Sequence, residues 1–251
     1  MSTLMTRRGL LTGLGFTALV GSTAGLIFSP AFRDLVLGGG EALSYRAHRL
    51  IGRNALAPEF TEADMSPMFR TNGNTMPANS EYQAHAAASF ANWQLRVDGL
   101  VAAPQTFSLA AIQMMPARTQ ITRHDCVEGW SAIGKWTGLP MAAVLDKVML
   151  LPAARYLVLH CADDFDGKTY YESIDLVDAL HPQTILAYAM NDQPLTVGHG
   201  APLRLRVERQ LGYKQAKYIM RIEAVASLAD IGGGKGGFWE DEIGYDWYAG
   251  I

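Results

Sequence analysis

The chain is short of cysteine. Only two occur in 251 residues, Cys126 and Cys161. They can form at most one bridge, and a chain this long buries a core without disulfide staples. No Cys-x-x-Cys is present, which removes a thioredoxin-like dithiol. The six histidines are scattered without ligand spacing, so a zinc site is not indicated. Charge is sparse as well: 18% of residues are charged and the net charge is -3. There is no basic stripe with interleaved aromatics, which argues against a nucleic-acid partner. No internal repeat occurs, and no Pro-rich or charged linker divides the later chain. The glycine run Gly232 to Gly237 lacks the Ser or Thr that must follow Gly-Lys, so it is not a phosphate-binding P-loop. It reads as a flexible loop carrying Phe238 and Trp239 back over the body, with Tyr245, Trp247 and Tyr248 as pocket candidates.

Long apolar runs are confined to the start. Arg7 and Arg8 stand directly before an uncharged run from Gly9 to Phe28. Paired arginines ahead of such a run resemble a twin-arginine export signal. Ser29-Pro30-Ala31 and Ser22-Thr23-Ala24 are small-x-small cleavage sites. An ordinary secretory signal or an uncleaved membrane anchor is the alternative, since the run is just long enough to span a bilayer. Twin-arginine export moves folded proteins, often already loaded with a cofactor. It places the chain in the periplasm, where a Cys126–Cys161 disulfide competes with any chemistry at sulfur. The expected organisation is a signal over 1–31, a lead-in over 32–60 and one domain over 61–251. Within the lead-in, Leu43 to Leu50 reads as a short amphipathic helix.

What the domain has in quantity is strand signal. Trp93 to Asp98 alternates apolar and polar residues and turns at Gly99. Tyr156 to Leu159 is a buried-strand run, and Ile185 to Met190, Leu203 to Val207 and Lys217 to Ala224 follow. Leu203, Leu205 and Val207 are expected on the core face, with Arg204, Arg206 and Glu208 pointing the other way. Helices are few: Ser108 caps one through Met115, Pro140 opens one through Val148, and Asp175 caps a turn ending near His181. This pattern predicts an α+β fold with a mixed, β-dominated core.

The most informative segment is Arg123-His124-Asp125-Cys126-Val127-Glu128-Gly129-Trp130-Ser131. A free cysteine is ordinarily a small buried hydrophobe. Here its neighbours are a guanidinium, an imidazole and two carboxylates. Nucleophile, redox thiol and soft-metal ligand are all open. One thiolate is too few to hold a metal alone, but it suffices when a large anionic organic ligand supplies the rest. Downstream residues could grip such a ligand: His199 and Arg204 lie five residues apart across a turn, and Lys214 and Lys217 follow Gly212.

At this point the chain resembles the molybdopterin oxidoreductases of the sulfite oxidase fold. It is similar in organisation to exported bacterial catalytic subunits of the protein-methionine-sulfoxide reductase type. The resemblance runs over roughly residues 65 to 226. It rests on Cys126 to Ser131 with Trp136 to Pro140, on Ala179 to Pro182, on His199 to Pro202 with Arg204, and on Gly212 to Lys214 with Lys217. It implies a β-rich, mixed-sheet molybdopterin-binding domain and two-electron oxygen-atom transfer on a small sulfur-containing substrate. It implies Cys126 as the molybdenum thiolate and Asn72 on the pterin. His199 and Arg204 would grip the pterin and its phosphate, with Gln215, Ala216 and Lys217 closing over that phosphate. Cys161 falls near the pterin, where the reductase branch has Thr. Arg123, His124, Tyr213 and Trp239 are candidates to shape the substrate pocket.

Two positions depart from the family pattern. Sulfite oxidases carry Arg directly before the Asn that here is Asn72, whereas this chain has Thr71. His199 follows the oxidase branch, where reductases have Asn. The resemblance also implies a separate electron partner, a membrane haem protein or a soluble cytochrome. Two competing readings remain. One is a cysteine-dependent hydrolase or peroxidase using Cys126 with His124 or His160. The other is a membrane-tethered binding domain that has lost its cofactor and carries a Cys126–Cys161 disulfide.

Overall fold

The computed structural model describes residues 29–251, so the paired-arginine segment lies outside the described residues. The chain divides into two units between Arg53 and Asn54. The described part of the first is helix α1, Pro30–Ile51. Ser29 caps it by accepting from Phe32 N at 3.3 Å, and Pro30 supplies a residue already fixed for the first turn. The helix is far longer than the Leu43 to Leu50 expectation, because the glycines at 38 to 40 do not end it. Leu43, Leu50 and Ile51 are exposed. No helix among the described residues is long and apolar enough to cross a membrane.

The second unit, Asn54–Ile251, is built on two five-stranded sheets. One contains β1 (Gln94–Gly99), β2 (Gln105–Ser108), β5 (Tyr156–Phe165), β6 (Lys168–Asp175) and β10 (Ile219–Val225) in the order β2-β1-β10-β5-β6. Only β1 with β10 is parallel in it. The other is antiparallel throughout, with β3 (Arg118–Cys126), β4 (Trp130–Pro140), β7 (Ile185–Met190) and β8 (Gln193–Pro194) in sequence and β9 (Arg204–Arg206) also paired to β7. Short helices pack around them: α2 (Ser80–Ala87), α3 (Leu109–Gln113), α4 (Met141–Val148), α5 (Leu176–Ala179) and α6 (Phe238–Ile243). The fold is therefore α+β with a mixed sheet. Ser108 and Asp175 cap their helices through Ala111 N and Asp178 N, as their sequence positions predict.

The main core joins Leu95 and Val97 of β1, Leu157 and Leu159 of β5, Ile219 and Ile222 of β10 and one face of α4. Leu203, Leu205 and Val207 enter it as expected. The other face of that segment is a correction. Arg204, Arg206 and Glu208 are also buried, because β9 is covered on both sides. A second, smaller cluster forms around Trp136. Burying three charged side chains, two of them against an indole, is costly unless each is paired, so this face is where the site begins.

Candidate active site

Strand parity explains the position of the key thiol. Residues alternate along β3, so His124 and Cys126 point inward while Arg123 points out. Cys126 is the last residue of the strand, and the turn behind it is closed by Gly129 N donating to its carbonyl at 3.0 Å. The thiol borders a cavity of about 240 Å³. Asn72, Tyr213, Gln215, Ala216, Lys217 and Trp239 line the same cavity, so with Cys126 seven of the site candidates converge there, joined by Tyr245 of the tail. Burial, helped by the nearby Glu128 carboxylate, pushes the Cys126 thiol up from its ordinary range. An isolated thiol in this setting is a poor nucleophile, which weakens the hydrolase and peroxidase readings.

Behind this lining lies a buried polar network. Arg206 Nε and Nη2 bond the Glu208 carboxylate at 3.0 and 2.6 Å, and Gln120 Nε2 donates to the same group at 2.9 Å. Arg206 Nη1 donates to His124 Nδ1 at 3.0 Å. The proton of a neutral imidazole therefore sits on Nε2. Burial and the two neighbouring guanidiniums hold His124 well below its usual pKa, which keeps it neutral. The turn at Gly212 presses against this ring, and a Cβ there would lie 2.5 Å from His124 Nε2. Only glycine fits.

Arg204 is fully buried beside Arg206, and both stack over Trp136, at 4.9 and 4.3 Å from its ring centre. Its Nη1 donates to His199 O at 3.1 Å and its Nη2 to Gln215 O at 3.4 Å. Burial and the Arg206 charge bring its pKa down to about 9, so it stays charged at neutral pH. Lys217 donates to the carbonyls of Asn72, Asn74 and Gly198 at 2.7, 2.5 and 3.1 Å. It thereby clasps the Asn72 loop to the cavity. Burial and Arg204 lower its pKa to about 7, while burial raises Asp163, across the cavity, to about 7.

The remaining candidates lie elsewhere. Arg123 bonds Asp125 at 2.9 Å on the outer face and does not line the cavity. His199 turns its ring into a separate groove, bonding Phe69 O at 3.1 Å and Thr196 Oγ1 at 2.9 Å. Burial lowers its pKa. Cys161 sits on β5 and lines a different groove, with Arg96 and Arg221. Both cysteines are free, so the weighed disulfide is not formed. The reading that relied on that bridge loses its support.

Sequence reasoning missed Asp163, Arg206, Glu208 and Gln120. The alternation Arg204-x-Arg206-x-Glu208 was a visible signal, but alternation alone does not distinguish solvent from a second buried layer.

The donor set fits a large anionic, polar-edged group with a soft metal. The soft sulfur of Cys126 is present. Positive charge exceeds negative in the buried network behind the lining, where Arg204 and Arg206 face the single carboxylate of Glu208. Three buried polar atoms in this region, His124 Nε2, Arg204 Nε and Gln215 Oε1, have no hydrogen-bond partner. Buried polar atoms are rarely left so.

Comparison with known proteins agrees. The oxidoreductase molybdopterin-binding domain matches residues 82–230. The putative protein-methionine-sulfoxide reductase subunit YedZ1 of Azospira oryzae is 37% identical over 241 residues, 96% of this chain and 82% of that protein. The protein-methionine-sulfoxide reductase catalytic subunit MsrP of Ralstonia nicotianae is 36% identical over 144 residues, 53% of this chain and 44% of that protein. Among solved structures, the sulfane dehydrogenase SoxCD from Paracoccus pantotrophus matches with a TM-score of 0.51 and 20% identity, over 55% of this chain and 39% of that one. That last likeness concerns the fold alone.

Proposed function

The chain belongs to the oxidoreductase molybdopterin-binding domain family, and from that premise we propose that it reduces a sulfoxide to a sulfide, with Cys126 holding the molybdenum. The observation that carries this reading is the inward-facing Cys126 thiol on a cavity backed by surplus buried positive charge. The balanced step converts one sulfoxide, two electrons and two protons to sulfide and water. When bound, the molybdenum–pterin group supplies the two-electron oxygen-atom chemistry.

The chain's own residues bind, orient and exclude water. Cys126 supplies the soft donor at the end of a rigid strand. Gln215, on the cavity wall, would meet the polar edges of the pterin, while Arg204, buried behind that wall, would act on its phosphate chiefly through its charge. Arg206 fixes the His124 tautomer, which makes Nε2 a donor. The Lys217 clasp holds Asn72 against the cavity, and its own contribution to the phosphate is then largely Coulombic. Asp163, with a pKa of about 7, is the cavity-lining carboxylate best matched to handing on a proton at neutral pH.

The relatives' names favour sulfoxide reduction, and both describe subunits, which supports a separate redox partner. A membrane haem protein or soluble cytochrome in the periplasm fits the paired-arginine export segment. Purified, molybdenum-loaded enzyme with a viologen reductant should turn over methionine sulfoxide, and Cys126→Ser should abolish turnover while pterin content stays near wild type. A loaded enzyme inert toward sulfoxides, or a fully active serine variant, would overturn the assignment.

A further inference from the structure

The matched family region ends at residue 230, yet the segment beyond it forms part of the site. Trp239, Ile243 and Tyr245 all line the Cys126 cavity. The segment is fastened on both sides of these residues. Glu240 is fully buried and its Oε1 accepts from Lys214 Nζ at 2.7 Å, while the same ammonium bonds Glu172 of β6. Asp241 accepts from Gly233 N at 2.7 Å and Lys235 N at 3.0 Å, and also from the Tyr171 hydroxyl. Those bonds tie down the glycine run that the sequence alone reads as flexible. Further along, Trp247 Nε1 donates to Ser173 Oγ at 2.9 Å, and Leu211 N to Ala249 O at 2.9 Å. Trp247 and Tyr248 therefore pack as anchors and do not line the cavity.

The face so fixed is aromatic and uncharged. Trp239 packs on Phe165 with ring centres 4.9 Å apart, and Tyr245 packs on Tyr213 at 4.9 Å. The other charged lining groups are Glu128, Asp163 and Lys217, and the Lys217 ammonium is engaged by three carbonyls. An apolar, uncharged body is therefore favoured against the Trp239, Ile243 and Tyr245 side of the cavity.

We propose that the C-terminal segment 231–251, latched by Lys214 between Glu172 and Glu240, is the specificity-determining wall of the site, and that Trp239, Ile243 and Tyr245 select uncharged sulfoxides with bulky apolar substituents. This inference rests on the sulfoxide-reduction reading. The test compares dimethyl sulfoxide with methyl phenyl sulfoxide on the loaded enzyme. Trp239→Ala should raise KM for the phenyl substrate about tenfold, because the phenyl ring then has no indole to pack against, and change that for dimethyl sulfoxide less than about twofold. Trp239→Phe should retain the preference. Ile243 is exposed, so Ile243→Glu folds and should also weaken the phenyl substrate selectively. Lys214→Met should lose the same discrimination and open the segment to trypsin at Lys235. Equal effects on both substrates, or none, would overturn the wall.

Calorimetric binding of methyl phenyl sulfoxide to wild type and Ile243→Glu separates the two readings. Binding that weakens in the variant while neither sulfoxide turns over would sink sulfoxide reduction and keep the wall. Turnover with unchanged binding and unchanged preference would do the reverse.

Discussion

Two buried charge clusters flank the cavity, and they are imbalanced in opposite senses. On the Trp136 side there are two guanidiniums, Arg204 and Arg206, and one carboxylate, Glu208, which pairs with Arg206. On the tail side, one ammonium, Lys214, sits between two carboxylates, Glu172 and Glu240. The second cluster can cure its own excess. Burial and Glu240 push Glu172 far above the ordinary carboxylate range, so it keeps a proton. The first cannot, because Arg204 at about 9 remains charged at neutral pH. A cluster that neutralises itself is a structural latch, while one that retains unmatched charge is built to receive an anion.

The contrast breaks most severely at Lys214. Lys214→Met leaves two buried carboxylates without their cation and should cost about 3–5 kcal/mol in denaturant unfolding. Arg204→Leu should behave oppositely. It forfeits no ion pair, only bonds to two carbonyls and the stack on Trp136, and it relieves a buried charge, so the loss should be smaller, about 1–2 kcal/mol. Pterin retention should nevertheless fall at least about tenfold, since the remaining guanidinium behind the cavity, Arg206, is already paired with Glu208. Equal stability losses in the two variants would erase the distinction.

Much of this was legible in advance, and the rest was not for identifiable reasons. The polar setting of Cys126 announced chemistry, and the alternation along β3 already separates Cys126 and His124 from Arg123. Reading that parity would have removed Arg123 from the site. Arg206 and Glu208 were misread as an outward polar face, because strand alternation reports two faces without saying what covers each. The latch was invisible locally. Glu172 and Glu240 lie 42 and 26 residues from Lys214, and only the folded sheet brings them together. The long α1 was underestimated because glycine lowers helix propensity without forbidding a helix.

The smallest expected effect sharpens the comparison at the cavity itself. Asp163 is held near 7 chiefly by burial, with Asp164 raising it and Lys217 and Asn74 lowering it. Between the ordinary carboxylate pKa of 3.8 and about 7, the folded state keeps a proton that the unfolded state has lost. Stability therefore falls as pH rises through that window. Lys217, lowered to about 7, works in the other direction: above 7 the unfolded state holds the extra proton, and stability rises toward 10.5. Asp163→Asn should flatten the acid-side fall in cofactor-free protein, measured by denaturant midpoints from pH 4.5 to 7. An unchanged slope would remove Asp163 as the titrating group.

The most direct measurement is the metal and pterin content of protein matured in a molybdenum-replete host, read by mass spectrometry and by pterin fluorescence after acid oxidation. Unmatched positive charge behind an inward-facing thiol predicts close to one molybdenum and one pterin per chain. A folded protein carrying neither would contradict it, and would leave Cys126 and the buried arginines without the group they are arranged to hold.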